Sequence, residues 1–281
     1  MLSEKRTLGF YVLAAFFILF VLFLYGPLSA VLILSFQGPN GGLTFPLNGV
    51  SLHWFGNLFE RQAVGDFGAS FSRSLILGLM VMVATVVVAL LAGLAFRRRF
   101  IGATPLFYLT IASLVVPSII VSLGIGVLFQ QIGIKPAWFS SGFGAHLTWT
   151  LPFGVLIMFA VFNRFSPSFE EAARDLGASP WQTFYHVLLP MIAPSLIGVG
   201  LFGFTLSYDE FARTLLTSGT FNTLPLEIYG MTTNVTTPVL YALGTVTTAF
   251  SFSVIFIVIG TVWLLQRRRR RFGSDAGKGL V

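Results

Sequence analysis

Long apolar runs dominate this chain, and short polar segments interrupt them at intervals. A run of about 20 mostly apolar residues is long enough to cross a bilayer as a helix. Such runs cover residues 8–36, 72–96, 104–129, 147–165, 191–211 and 239–265. Strands of a membrane barrel would instead alternate apolar and polar residues over about ten positions. The pattern therefore predicts an all-α, polytopic membrane protein, with one transmembrane domain over residues 1–281 and about six transmembrane helices.

The polar segment 166–190 lies between the fourth and fifth apolar runs and carries the signals of two short helices. Ser168, followed three residues later by Glu171, predicts a capping box that begins the first helix. Gly177 stands where a left-handed residue commonly ends a helix. The start signal returns at Ser179, which precedes a proline and has a glutamine three positions later. We therefore expect a helix, a glycine turn and a second helix, and we name this segment the 166–190 loop.

Both predicted helices of the 166–190 loop carry an apolar stripe outside the long apolar runs. The stripes are Phe169, Ala172, Ala173 and Leu176 in the first helix, and Trp181, Phe184, Tyr185 and Leu188 in the second. Such stripes could lie in the lipid interface or pack on the ends of the membrane helices. The small side chains of Ala172 and Ala173, with charges of both signs around them, favour a groove on a soluble protein partner.

The composition agrees with a bilayer-embedded chain, since 55% of its residues are hydrophobic and 10% are charged. The chain has no cysteine, which excludes disulfides, thiolate nucleophiles and cysteine-ligated metals. Its three histidines, His53, His146 and His186, are too scattered to predict a metal cluster. We expect no metal and no cofactor bound by this chain.

Basic residues are concentrated in the segments that a six-span pattern places on one side of the membrane. They are Lys5 and Arg6, Arg97 to Arg99, Arg164 and Arg174, and Arg267 to Arg271. Together with Lys278 they make thirteen of the 17 basic residues. Because such residues mark the cytoplasmic side, both termini and the 166–190 loop are predicted to be cytoplasmic. The net charge of +7 is then a topology signal, and no nucleic-acid partner is needed to explain it.

The 166–190 loop also resembles the EAA loop in the permeases of binding-protein-dependent ABC importers. The family pattern is EAA, three residues, G, nine residues, I, one residue, L and P. This chain matches it at Glu171 to Ala173, Gly177 and Leu189-Pro190, and has Val187 in place of the isoleucine. The resemblance implies a coupling helix that sits in a groove of an ATPase subunit. The residues it assigns to this contact, with their neighbours, are Glu170, Glu171, Ala172, Ala173, Asp175, Gly177, Trp181, Leu189 and Pro190.

Further segments are similar to the second permease subunit of spermidine/putrescine importers. They are residues 207–211, 217–219, 224–229 and 238–242. The resemblance implies a bacterial inner membrane permease that moves a small organic solute, such as a polyamine, inward. It also implies a homologous second permease, two ATPase subunits that hold ATP and Mg, and an extracytoplasmic solute-binding protein. This chain would catalyse no reaction itself.

Tyr208, Asp209 and Glu210, at the end of the fifth apolar run, are candidates for the solute path or its gate. Carboxylates at the membrane edge are costly enough to indicate a function. Adjacent negative charges would also attract the ammonium groups of a polyamine. Alternatively, they mark the water interface or pair with Arg213. A loop nearby is expected to face the receptor, and its candidate residues are Thr217, Ser218, Gly219 and Glu227.

Two other functional classes are weaker alternatives. A self-sufficient ion-coupled transporter would show broken spans at matched positions of two repeats, and no convincing internal repeat is present. A membrane-embedded hydrolase needs a nucleophile and a base, whereas His146 and His186 are predicted on opposite faces of the membrane. The glycines of residues 198–203 match GxGxxG, but they lie inside an apolar run and follow no strand. They are predicted to let helices pack closely rather than to bind a nucleotide.

Overall fold

The structure is a computed structural model that describes residues 7–59, 65–98, 100–234 and 237–271. Its helices are α1 (Leu8–Leu34), α2 (His53–Asn57), α3 (Phe67–Phe96), α4 (Ala103–Ala112), α5 (Ser118–Gln131), α6 (Phe143–Arg164), α7 (Ser168–Asp175), α8 (Pro180–Thr183), α9 (Leu189–Tyr208), α10 (Leu224–Asn234) and α11 (Val239–Arg271). A π-helical turn, Trp138–Gly142, precedes α6, and a second, Phe184–Leu188, joins α8 to α9. Within the described ranges the only strand-like pairing is an isolated bridge between Gln37 and Val50, so the all-α prediction is confirmed. Of the basic residues used to predict topology, Lys5, Arg6, Arg99 and Lys278 lie outside the described residues.

Five helical stretches in the described part of the chain are long and apolar enough to cross a membrane. They are Leu8–Leu34, Phe67–Phe96, Trp138–Arg164, Pro180–Tyr208 and Val239–Thr261. The third predicted run, 104–129, is instead divided into the shorter helices α4 and α5. Pro117 stands at the start of α5, where it lacks the N–H that would continue a helix from α4.

Helix ends also differ from the predicted bounds. α3 begins at Phe67 rather than at residue 72 because the Asp66 side chain accepts a hydrogen bond from the Ala69 N–H at 3.0 Å. α9 ends at Tyr208, three residues before the predicted end. The connector 212–238, predicted as turns, contains α10.

The chain falls into two compact units. One comprises residues 1–65 and 230–259, and the other comprises residues 66–229 and 260–281. In the first unit, the segment after α1 is organised by the buried side chain of Gln37, whose Oε1 accepts from the Asn48 N–H at 2.6 Å. The hydroxyl of Tyr241 in α11 donates to the Leu43 carbonyl at 2.6 Å. These contacts hold the segment against the start of α11.

In the second unit, α3, α6 and α9 pack together around a buried apolar core. Its members are Ala89, Met158, Phe162, Phe165, Leu188, Ile192 and Val199. Glycines permit the close approach: a Cβ on Gly154 would lie 2.9 Å from the Ala89 Cβ, and one on Gly203 would lie 3.2 Å from the Thr85 Cβ. Gly200 and Gly203 of the GxGxxG run are thus helix-packing positions, as predicted, whereas an added Cβ on Gly198 would meet no atom within 4 Å. Phe165 directly precedes the 166–190 loop and Leu188 lies within it, so the loop is built directly onto this core.

Candidate functional site

The first helix of the 166–190 loop is α7, and it begins without the predicted capping box. Pro167 is the residue that precedes the helix, and no side chain caps it. Ser168 is already the first helical residue, and its Oγ lies 2.7 Å from the Ser166 Oγ. The predicted box of Ser168 and Glu171 is therefore wrong, because the helix starts one residue earlier than the box requires.

Gly177 ends α7 as predicted. Its φ is +83°, in the left-handed region that glycine adopts without strain. The Gly177 N–H donates to the Arg174 carbonyl at 2.8 Å, and the Ala178 N–H donates to the Ala173 carbonyl at 3.0 Å. This pair of hydrogen bonds is the Schellman motif of a helix C-terminus. It turns the chain sharply between α7 and α8.

The second helix begins with the predicted capping box. The Ser179 Oγ accepts from the Gln182 N–H at 3.3 Å, and the Gln182 Oε1 accepts from the Ser179 N–H at 2.7 Å. Pro180 occupies the first helical position, where its missing N–H costs nothing. This helix does not stop before the membrane span, since Pro180–Tyr208 is one helical stretch. The second part of the loop is therefore the beginning of the fifth predicted span.

The two apolar stripes divide between the core and the surface. Leu188 is buried in the core and Phe184 packs against it. Leu176, Trp181 and Tyr185 are 90%, 70% and 55% exposed. The rings of Trp181 and Tyr185 stack with their centroids 5.8 Å apart. We call Leu176, Trp181 and Tyr185 the exposed apolar set, and side chains of this size in the open indicate a contact surface.

The EAA-loop residues also divide by exposure. Those that are exposed are Glu171, Ala172, Asp175, Gly177, Trp181 and Pro190, whereas Glu170, Ala173 and Leu189 are half-buried. Glu170 faces its own chain: its Oε1 lies 2.7 Å from the Nη1 of Arg97. The two consecutive glutamates thus have different surroundings, with Glu171 directed to solvent and Glu170 held in an ion pair. Sequence reasoning counted Arg97 only as a topology charge, because 73 positions separate the pair.

At the other end of α9, the acidic pair has two distinct environments. Asp209 directly follows the helix and is exposed. The Glu210 Oε1 accepts from the Arg213 N–H at 2.9 Å and so stabilises the turn after α9. The alternative pairing with Arg213 thus exists, although through the backbone N–H. Tyr208 is buried, with its ring stacked on that of Phe204 at 5.7 Å between centroids.

Arg213 is fully buried, and sequence reasoning gave it no role beyond that pairing. Its Nη1 donates to the Thr148 hydroxyl, and its guanidinium carbon lies 5.0 Å from the centre of the Trp149 ring. Burial lowers the pKa of the Arg213 guanidinium while the charge of Glu210 opposes that change. An arginine nevertheless stays charged in a protein. Arg213 therefore places a positive charge beside the acidic pair.

His146 joins the same buried polar network. Its Nδ1 lies 2.8 Å from the Ser207 Oγ, and its Nε2 lies 2.9 Å from the Thr214 Oγ1. These contacts tie α6 to the end of α9 and to the turn that follows. No local pattern predicts them, because the paired residues are 61 and 68 positions apart.

The expected receptor-facing residues are largely engaged within the chain. Thr217 and Ser218 are buried, and the Ser141 hydroxyl donates to the Thr217 carbonyl at 2.7 Å. Gly219 packs so closely that an added Cβ would lie 2.1 Å from the Pro136 carbonyl oxygen. The side chains of Thr217 and Ser218 are thus buried within this chain, whereas Gly219 is exposed.

The fourth of these residues, Glu227, is half-buried. Its carboxylate accepts from the Asp66 N–H and from the Asn222 side-chain amide, each at 2.8 Å. The carboxylate therefore links α10 to the start of α3.

Comparison with known proteins identifies the family. The model of the family described as binding-protein-dependent transport system inner membrane component matches residues 85–271. The chain belongs to this family. The matched range includes the whole 166–190 loop. The match confirms the resemblance, first indicated by the EAA motif, to the permeases of binding-protein-dependent ABC importers. It does not support the ion-coupled alternative. The chain is a multi-pass inner-membrane permease of a binding-protein-dependent transport system.

Individual relatives and solved structures agree with this family. The spermidine/putrescine transport system permease protein PotC of Haemophilus influenzae is 28% identical over 249 residues, covering 88% of this chain and 95% of the relative. The putrescine transport system permease protein PotI of Escherichia coli is 28% identical over 257 residues, covering 89% of this chain and 88% of the relative. A crystal structure of a bacterial ABC transporter involved in the import of the acidic polysaccharide alginate has a TM-score of 0.68 at 16% identity. The match covers 92% of this chain and 99% of the chain in that crystal structure, and it shows that the two chains share a fold.

Proposed function

We propose that this permease is one membrane subunit of an ABC importer that moves a polyamine, such as spermidine or putrescine, into the cell. It works with a homologous second permease, two ATPase subunits and an extracytoplasmic solute-binding protein. ATP and Mg are held by the ATPase subunits, and this chain binds neither. With α4 and α5 together making the third of six crossings, its two termini and the 166–190 loop lie on the cytoplasmic side, as the distribution of basic residues indicates.

The observation that carries the proposal is the form of the 166–190 loop. The exposed apolar set and the exposed residues Glu171 and Asp175 belong to the same short loop. Acidic side chains disfavour the anionic surface of the cytoplasmic leaflet. A groove on a soluble ATPase fits this mixture of aromatic, aliphatic and acidic groups better than a lipid surface does.

The loop is well placed to transmit motion. α7 follows α6 after a three-residue connection, and α8 continues through the π-helical turn into α9. Closure of the ATPases around ATP would displace α7 and α8 together, and would tilt α6 and α9 with them. Such rigid-body movement is the basis of alternating access, in which the path opens to one side at a time.

At the opposite end of α9, Asp209 is the better candidate for contact with a cationic solute. Its side chain is exposed, whereas the Glu210 carboxylate is engaged by the Arg213 N–H. The names of the relatives, which refer to spermidine and putrescine, support a polyamine as the cargo.

Uptake by the complete complex in proteoliposomes tests this function. Radiolabelled spermidine or putrescine should accumulate only with ATP, both ATPase subunits and the loaded binding protein present. Transport by this chain without an ATPase would contradict the proposal and favour an ion-coupled carrier.

Replacement of Asp209 tests the solute path. We expect Asp209→Asn to lower uptake by about tenfold at limiting solute, the effect of losing one charge-assisted contact. Asp209→Glu, which keeps the charge, is the matched control and should retain most of the uptake. Wild-type uptake by Asp209→Asn would remove this residue from the path.

A further inference from the structure

Arg97 forms a direct tie between α3 and the 166–190 loop. It directly follows the last residue of α3, and its Nη1 lies 2.7 Å from the Glu170 Oε1 in α7. The guanidinium carbon also lies 5.2 Å and 5.4 Å from the ring centres of Phe162 and Phe165. The side chains of Arg97 and Glu170 are 23% and 14% exposed, so water screens the pair less than it screens a fully exposed one.

Both members of the Arg97–Glu170 ion pair are held in place by their surroundings. Glu170 lies in the first turn of α7, where the helix dipole favours a carboxylate. The two aromatic rings belong to the end of α6 and the residue that follows it, and they hold the planar guanidinium between α3 and α7. A lysine would keep the charge but would lose the broad contact of the guanidinium with the two rings.

The tie adds a connection that the backbone does not provide. α7 is continuous in sequence with α6 and leads through α8 to α9, but it is remote from α3 along the chain. α3 packs on both α6 and α9 in the core of this unit. Without the pair, movement of α7 would reach α3 only through side-chain packing.

We propose that Arg97 is a positioning residue for energy coupling, which acts through Glu170 to make α3 move together with the 166–190 loop. This inference rests on the proposed function. It gives the two consecutive glutamates separate tasks: Glu171 faces the ATPase, while Glu170 fixes the angle of α7 against its own membrane helices.

Positive charge at this end of α3 also helps to set the orientation of the chain in the membrane. Substitution of Arg98 separates this role from that of the ion pair. Arg98 follows directly in the chain and is exposed. The topology signal is therefore reduced equally by Arg97→Gln and by Arg98→Gln, whereas only the first removes the ion pair. Arg98→Gln is the matched control.

The experiment uses the complete importer in proteoliposomes and measures solute moved per ATP hydrolysed. We expect Arg97→Gln and Glu170→Gln each to lower this ratio by about fivefold, with the ATPase still co-purifying. The double variant should be no worse than either single variant, because both remove the same interaction. Arg97→Lys should restore part of the ratio, and Arg98→Gln should match the wild type.

Two outcomes would overturn the inference. One is a wild-type ratio in Arg97→Gln, and the other is a double variant in which the two single losses multiply. Stimulation of ATP hydrolysis by the loaded binding protein provides a second readout, which Arg97→Gln should reduce. If the wild-type complex moves no polyamine yet shows this stimulation, the proposed cargo fails while the Arg97 test still stands.

Discussion

The turn between α7 and α8 depends on one residue, Gly177. Its φ of +83° would cost any other residue backbone strain of about 1 kcal/mol. An added Cβ would meet no atom within 4 Å, so Gly177→Ala changes the backbone preference without creating a clash. We expect this variant to lower ATPase co-purification and solute uptake by about fivefold, while the amount of permease in the membrane stays normal.

Gly198→Ala is a matched control for that experiment. A Cβ added to Gly198 would also meet no atom within 4 Å, but Gly198 lies inside α9 with ordinary helical geometry. Alanine is favoured over glycine in a helix, so uptake should not fall. If Gly177→Ala behaves like Gly198→Ala, the left-handed turn is not needed for coupling.

Single residues also show which interactions a sequence reveals. The turn at Gly177 and the capping box at Ser179 were predictable, because their hydrogen bonds join residues no more than five positions apart in the chain. The Arg97–Glu170 pair spans 73 positions and was not predictable. The burial of Thr217 was missed for the same reason, since its partner Ser141 is 76 positions away.

At the scale of elements, α8 has its own start signal and α7 does not. Ser179 caps α8, whereas Ser168 contacts only a neighbouring serine hydroxyl among the hydrogen bonds described for its side chain. Loss of an N-cap costs about 1 kcal/mol. We expect Ser179→Ala to speed hydrogen exchange of the backbone amides at 181–188 by about fivefold, as local opening becomes easier.

Ser168→Ala provides the comparison within the same loop. It should leave the exchange of the 168–176 amides close to that of the wild type, since the hydroxyl caps no N–H of α7. Mass spectrometry of peptides from the two segments would measure both effects. Unchanged exchange of the 181–188 amides in Ser179→Ala would show that the capping contact does not stabilise α8.

The apolar pattern located the helices better than their breaks and ends. A run of apolar residues reports that a segment is in the membrane, but it does not report a break such as the one before Pro117. α10 was missed because its residues carry turn-forming types and lack a long apolar run. The break has its own signal in the sequence, because Pro117 lacks the N–H that would continue a helix, whereas α10 has no comparable signal.

For the whole molecule, the distribution of charge predicts which face of the membrane each loop occupies. Thirteen of the 17 basic residues fall in segments on the predicted cytoplasmic side. The same orientation puts the 166–190 loop where an ATPase could bind it and puts the segment that follows α1 where a solute-binding protein could approach. An inverted chain would place the exposed apolar set on the wrong side for energy coupling.

The absence of cysteine from the sequence makes this orientation directly testable, because each introduced thiol is then the only one. Val50 and Leu176 are suitable positions, since their side chains are 77% and 90% exposed. A membrane-impermeant maleimide should label Val50→Cys in intact spheroplasts and Leu176→Cys only in inverted vesicles. Bound ATPase should slow the second reaction, because Leu176 belongs to the proposed contact. Labelling of Leu176→Cys from outside would contradict both the predicted topology and the coupling role of the loop.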